Sequence, residues 1–200
     1  MSKHTFKRVF LILFSSAAVI LLMVRCNSDY TPKPRGFLRI DLPEKEYTLF
    51  DSVFPYKFEY PVYARVVKDP TVDDPMMERR FNVDFPSLKG TLHLTYEPLN
   101  KNLDTLIGDA VEFVYKHVPK ATTISKSLIY REEDKVYGTL FLIRGKSAAS
   151  TYQFFVTDST SHFLRGALYL NTYTDNDSLR PVLDFLKTDV DHFISTLEWK

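Results

Sequence analysis

The sequence predicts an α+β domain in which a mainly antiparallel β-sheet is covered by two amphipathic helices. Runs rich in aromatic and β-branched residues dominate the chain, which holds 12 Tyr and 16 Phe among its 200 residues. Two other segments repeat their apolar residues every three or four positions, the spacing of a helix with one buried stripe. The links between the later runs are five to seven residues long. Such links suit antiparallel hairpins, because a parallel crossover needs a dozen residues or more.

Taken in order, residues 56–60 (YKFEY), 63–67 (YARVV), 80–85 (RFNVDF) and 91–96 (TLHLTY) read as strands. In the last, Leu92, Leu94 and Tyr96 alternate with Thr91, His93 and Thr95, the pattern of a strand with one buried face. Residues 69–77 (DPTVDDPMM) read as a loop, since prolines and acids do not suit a buried strand. Leu103, Leu106, Ile107, Ala110, Val111, Val114 and Val118 mark a helix of about four turns that Pro119 stops. Strands follow at residues 123–130, 136–143, 151–156 and 163–170, divided by the polar connectors 132–135, 144–147 and 157–161. A last helix starts after Asp177 and Ser178, takes Pro181 in its first turn, and lines up Val182, Leu183, Leu186, Val190, Phe193, Ile194 and Leu197. Trp199 is expected to pack back on the domain. Strands, helix, strands, helix, with no sustained βαβ alternation, is α+β order. This element order resembles the fold shared by the photosystem extrinsic protein PsbP and the Ran-binding protein Mog1, a likeness that transfers no function.

The first twenty-five residues read as an export signal of the lipoprotein type. Lys3, Lys7 and Arg8 precede an apolar run at residues 9–24 interrupted only by Ser15 and Ser16, and Cys26 follows. That run is short for a membrane span and ample for a signal core. Diacylation of Cys26 would hold the chain on a membrane, since several acyl chains anchor far better than one. Arg25 departs from the small residue that usually precedes an acylated cysteine, so an uncleaved signal anchor or an incidental cysteine remain alternatives. Cys26 is the one cysteine of the sequence, which leaves no intramolecular disulfide.

Residues 26–47 are expected to form a lipid-anchored extended arm ahead of a single domain at 48–200, because Pro32, Pro34 and Pro43 with Gly36 exclude a helix. Arg35, Phe37 and Arg39 offer a partner cationic and aromatic contacts at little ordering cost. The alternative is that Phe37, Leu38, Ile40 and Leu42 fold back over a sheet edge.

Several chemistries find no support. Four of the 26 basic residues precede Cys26 and no acid does, leaving 22 basic against 25 acidic residues and a formal charge of −3. Nucleic-acid binding, which needs a basic face, is not expected. Six glycines form no phosphate-cradling loop, and no Gly-x-Ser-x-Gly elbow occurs. His4, His93, His117, His162 and His192 show no metal-ligand spacing, although His93 and His162 fall on strands that could be neighbours. No enzyme activity, metal, cofactor or small-molecule substrate is expected. Asp51, Asp104, Asp158 and Asp177 each precede Ser or Thr and resemble the O-glycosylation sequon of the Bacteroidetes periplasm, while such pairs also belong to turns and helix starts.

The run Tyr30-Thr31-Pro32-Lys33-Pro34-Arg35-Gly36-Phe37-Leu38-Arg39-Ile40-Asp41-Leu42-Pro43 resembles the gliding-motility lipoprotein GldD family of Bacteroidetes. The ending from Pro181 to Trp199, with Phe185-Leu186-Lys187-Thr188-Asp189-Val190, is similar to that family as well. The resemblance implies a non-catalytic envelope lipoprotein, facing the periplasm, that supports gliding and the linked type IX secretion machinery through other envelope proteins. A periplasmic ligand-binding or carrier domain is the alternative, followed by a hydrolase.

Overall fold

The computed structural model describes residues 40–68, 80–145, 150–172 and 178–200, together with Lys7 and residues 14–16. The chain divides into two units, Met1–Leu38 and Arg39–Lys200. In the first unit the described residues are helical. Among the described residues no helix is long and apolar enough to cross a membrane. The loop expected at residues 69–77 and Lys146 and Ser147 of a connector lie outside the described residues.

The second unit is α+β, and its strand pairs are all antiparallel. It contains β1 (Tyr47–Asp51), β2 (Tyr56–Pro61), β3 (Arg65–Lys68), β4 (Arg80–Phe85), β5 (Gly90–Pro98) and α1 (Leu103–Tyr115). Then come β6 (Thr123–Arg131), β7 (Val136–Arg144), β8 (Ser150–Thr157), β9 (His162–Leu170), α2 (Arg180–Thr196) and β10 (Glu198–Trp199). Seven strands form one sheet in the order β3-β4-β5-β9-β8-β7-β6, and β1-β2-β10 form a second, three-stranded sheet. The eight strands and two helices expected from periodicity are present within a few residues of the expected bounds. The second sheet is a finding of the structure: β1 buries none of its residues fully and β10 spans two residues, and both pair with β2.

One face of the large sheet carries α2 and the small sheet. The α2 stripe Val182, Leu186, Val190, Phe193 and Ile194 meets Leu92 and Leu94 of β5, Phe154 of β8 and Leu164 and Leu168 of β9 in the main core. Phe193 links the layers, its ring 4.4 Å from that of Phe58 and 5.8 Å from that of Phe154. Each such side chain taken out of water contributes about 1.5–3 kcal/mol. Pro181 lies in the first turn of α2 as expected, but the first helical residue is Arg180, and no side chain caps Leu179 at its start. The other end is capped: Arg131 Nη1 donates to the carbonyls of Ile194 and Leu197, each at 2.9 Å. A cation there satisfies carbonyls the helix leaves open and meets the negative end of its dipole. Trp199 packs back as expected, stacked on His162 with ring centroids 5.2 Å apart.

The opposite face carries α1. Ala110 and Val114 pack on Phe141, Ile143, Phe155 and Phe163 in a separate, smaller core. Gly138 on β7 permits the close approach of β8, since a Cβ there would stand 2.0 Å from the Phe155 carbonyl oxygen. After α1, Pro119 sits in a short 3-10 turn, Val118–Lys120, so the helix ends one turn before the proline.

An ion sits inside the α2 stripe. Asp189 is 2 % exposed. Its carboxylate accepts hydrogen bonds from Lys45 Nζ at 2.5 Å, from Tyr47 Oη at 3.0 Å and from the Tyr63 hydroxyl. Lys45 also donates to the Phe185 carbonyl at 2.9 Å and lies 3.4 Å from the centre of the Phe185 ring. Three donors, one of them a cation, leave the buried charge satisfied, and they tie the segment before β1 to the last helix. Asp189→Ala should therefore destabilise the full chain by about 3 kcal/mol, because it leaves the Lys45 charge half-buried without its anion. Urea denaturation checks this, and an unchanged midpoint would remove Asp189 from the role of anchor.

Burial, reinforced by the Asp189 charge, holds the Tyr47 and Tyr63 hydroxyls well above the usual tyrosine range. Burial does the same for Tyr56, and burial with Asp191 for Tyr152. A pKa raised in the folded state means that, above about pH 10, the unfolded chain releases protons the folded chain keeps. The stability these four groups contribute is complete below pH 10 and is lost as the pH rises through their folded values. Lys45, lowered chiefly by burial, acts in the opposite sense, one group against four. Urea midpoints should thus fall steadily above about pH 10, ahead of the ionisation of these four hydroxyls in the folded protein. A flat midpoint across that range would contradict the assignment.

Candidate functional site

The residues expected to carry attachment and partner contact, Cys26, Arg35, Phe37 and Arg39, lie outside the described residues. The arm enters the described structure at Ile40, which packs against the main core, whereas Leu42 is exposed. With Lys45 and Tyr47 bound to Asp189, the end of the arm lies along the domain.

The described histidines do not converge. His93 and His162 stand on neighbouring strands, opposite Ala167 and Pro98 respectively, but they face opposite sides of the sheet. His93 Nδ1 shares a hydrogen bond of 2.8 Å with Asn82 Oδ1 on the α1 face. His162 Nδ1 bonds the Tyr96 hydroxyl at 2.8 Å beneath Trp199. His192 meets Glu59 at 2.7 Å and stacks on Tyr47. Among the described residues no three metal-binding side chains form a cluster. Of the acid-hydroxyl pairs, Asp158 belongs to a turn: burial would raise its carboxyl, but hydrogen bonds from the amides of Thr160, Ser161 and His162 and from the Thr160 hydroxyl outweigh this and hold it at about 2.

Two surfaces flank α1. On one side, β6 ends the large sheet and, among the described residues, pairs with β7 alone. The pleat turns Lys126, Leu128 and Tyr130 toward the α1 side, where Lys126 Nζ lies 5.4 Å from the centre of the Tyr115 ring. Leu128 is 88 % exposed and Tyr130 69 %. Tyr130 packs against its cross-strand neighbour Tyr137, the ring centroids 5.4 Å apart. An edge of nine residues with apolar side chains exposed, whose outer backbone groups pair with no other strand among the described residues, is the arrangement to which another chain can add a strand.

On the other side, α1 and strands β4, β5 and β9 enclose a groove of about 580 Å³. Pairing sets Arg80, Thr95 and Arg165 in one row across three strands. Arg165 is half-buried, its guanidinium 4.3 Å from the centre of the Phe113 ring, and Nη2 donates to Gln153 Oε1 at 3.3 Å. Burial lowers the Arg165 pKa and the nearby Arg80 charge adds to the effect. Gln153 is itself buried and its Nε2 has no partner. The groove holds no nucleophile bonded to a base among the described residues.

The sequence reading did not single out these surfaces. Leu128 and Tyr130 look like any apolar strand residues, because exposure at a sheet edge depends on strand order. Arg165 did carry a signal: it is the one charge in the run Phe163-Leu164-Arg165-Gly166-Ala167-Leu168.

Comparison with known proteins identifies the family. A solution structure of cyanobacterial PsbP (CyanoP) from Synechocystis sp. PCC 6803 is similar over 82 % of this chain and 98 % of its own, with 12 % sequence identity and a TM-score of 0.44. No curated protein sequence matches the chain. The family model described as gliding motility lipoprotein GldD matches residues 27–199, nearly everything after Cys26. The chain belongs to the GldD family of gliding motility lipoproteins.

Proposed function

We propose that this chain is a non-catalytic, Cys26-acylated envelope lipoprotein, facing the periplasm, that supports gliding and the associated type IX secretion machinery by binding other envelope proteins. The observation that supports the contact is the β6 edge, where Leu128 and Tyr130 stand exposed beside a row of backbone groups that no other strand pairs among the described residues. A partner segment in extended conformation fits this edge: its backbone completes the ladder, and alternate side chains cover Leu128 and Tyr130. Family membership supports the lipid anchor and the link to motility. Arg35, Phe37 and Arg39 supply a second contact in this reading.

Two experiments test it. Intact mass of the protein recovered from its host should give a diacylated chain starting at Cys26, and Cys26→Ser should release the chain from the membrane fraction; an unacylated wild-type chain refutes the anchor. Leu128→Glu with Tyr130→Glu should leave the urea midpoint within about 0.5 kcal/mol of wild type, because both side chains are already in water. The same double variant should lower crosslinking to envelope proteins in cells by roughly tenfold. Undiminished crosslinking would exclude β6 as the contact.

A further inference from the structure

The groove on the far side of α1 has features that a solvated strand face does not need. Arg165 projects from the middle of an otherwise apolar strand and is half-buried against Phe113. A charge so placed is costly unless an anion or a set of acceptors meets it. Among the described residues its one hydrogen-bond acceptor is the neutral Oε1 of Gln153, at 3.3 Å, and neither Arg165 nor Arg80 has a carboxylate within ion-pair distance. Two strand spacings separate the Cα atoms of the two arginines, about 10 Å, with Thr95 between them. Long side chains from both positions can close on one group above Thr95.

We infer that this groove binds a small organic anion, its carboxylate or phosphate held between Arg80 and Arg165 and its apolar body lying against Phe113 and Leu106 of α1. Guanidinium forks match planar or tetrahedral oxyanions through paired hydrogen bonds, so one headgroup satisfies both side chains. Asn82, held by His93, and the hydroxyls of Thr95 and Tyr169 supply neutral polar groups along the same wall. Asp109 and Glu97 also line the groove, and Glu97 has an interaction of its own. Two acids beside two arginines oppose polyanions and favour a ligand with a single anionic group. The site is separate from the β6 edge, since α1 lies between them.

The test is calorimetric titration of the full chain, in an uncharged detergent, with phenyl phosphate and with benzoate, and with benzyl alcohol as the neutral counterpart. Saturable binding of either anion and none of the alcohol is expected. Arg80→Gln, on an exposed side chain at the start of β4, and Arg165→Gln should each weaken it by roughly tenfold. Asp109→Asn, which removes a like charge, should strengthen it, a change that loss of structure does not produce. Equal affinity in wild type and the Arg80→Gln, Arg165→Gln double variant, or no saturable heat with either anion, would overturn the site. Arginine-dependent binding to phosphatidylglycerol vesicles without binding of the soluble anions would overturn the assignment to a small ligand and point to a lipid headgroup.

Discussion

A chain with one cysteine has no intramolecular disulfide to constrain its unfolded state, so this fold rests on burying the apolar stripe of α2 across a wide antiparallel sheet. Three layers of aromatic and aliphatic side chains meet there, joined through Phe58, Phe154 and Phe193. That dryness sets the terms for every polar group nearby. Asp189 can occupy the stripe because Lys45, Tyr47 and Tyr63 converge on it, and the same contacts seat β1 and, through β1, the small sheet. Arg131 solves the matching problem at the carbonyl end of α2.

The two faces of the large sheet are covered unequally, and the inequality creates the candidate surfaces. One face receives both α2 and three further strands. The other receives, among the described residues, α1 alone, a helix of 13 residues. A helix about 10 Å across covers two or three strands spaced about 4.8 Å apart, so a seven-stranded sheet extends beyond it on both sides. On the β6 side the remainder is an exposed edge. On the β4 and β5 side it is a groove whose polar lining follows from the pleat, since Leu92, Leu94 and Tyr96 are committed to the main core and their alternates Thr91, His93 and Thr95 must face away.

This asymmetry also explains what could be read from the sequence. Strand and helix identities were legible where a period persisted, as in the alternation of β5 and the three-to-four spacing of α1 and α2. The two-residue strand β10 has no period, and its pairing with β2 is a long-range fact that composition does not encode. Asp189 was visible only as part of a resembling motif, because nothing local distinguishes an acid inside the stripe from one beside it. The neighbours of Arg80 and Arg165 depend on β9 inserting between β5 and β8, a strand order that hairpin-length links do not specify.

The Asp189 contacts bear on function as well as stability. On the proposed anchorage at Cys26, the reach of the domain from its lipid is bounded by the first described residue that packs on the domain. A chain attached only from Tyr47 onward could reach about 70 Å from its lipid, at roughly 3.3 Å per extended residue. With Ile40 packed on the core and Lys45 locked to α2, a fully extended chain from Cys26 to Ile40 would reach about 46 Å at the same rise per residue. A shorter tether raises the effective concentration of the domain near the membrane and narrows the set of partners it can meet. The β6 edge therefore favours an extended segment presented close to the same membrane, and the ion at Asp189, far from that edge in sequence, limits which partners can reach it.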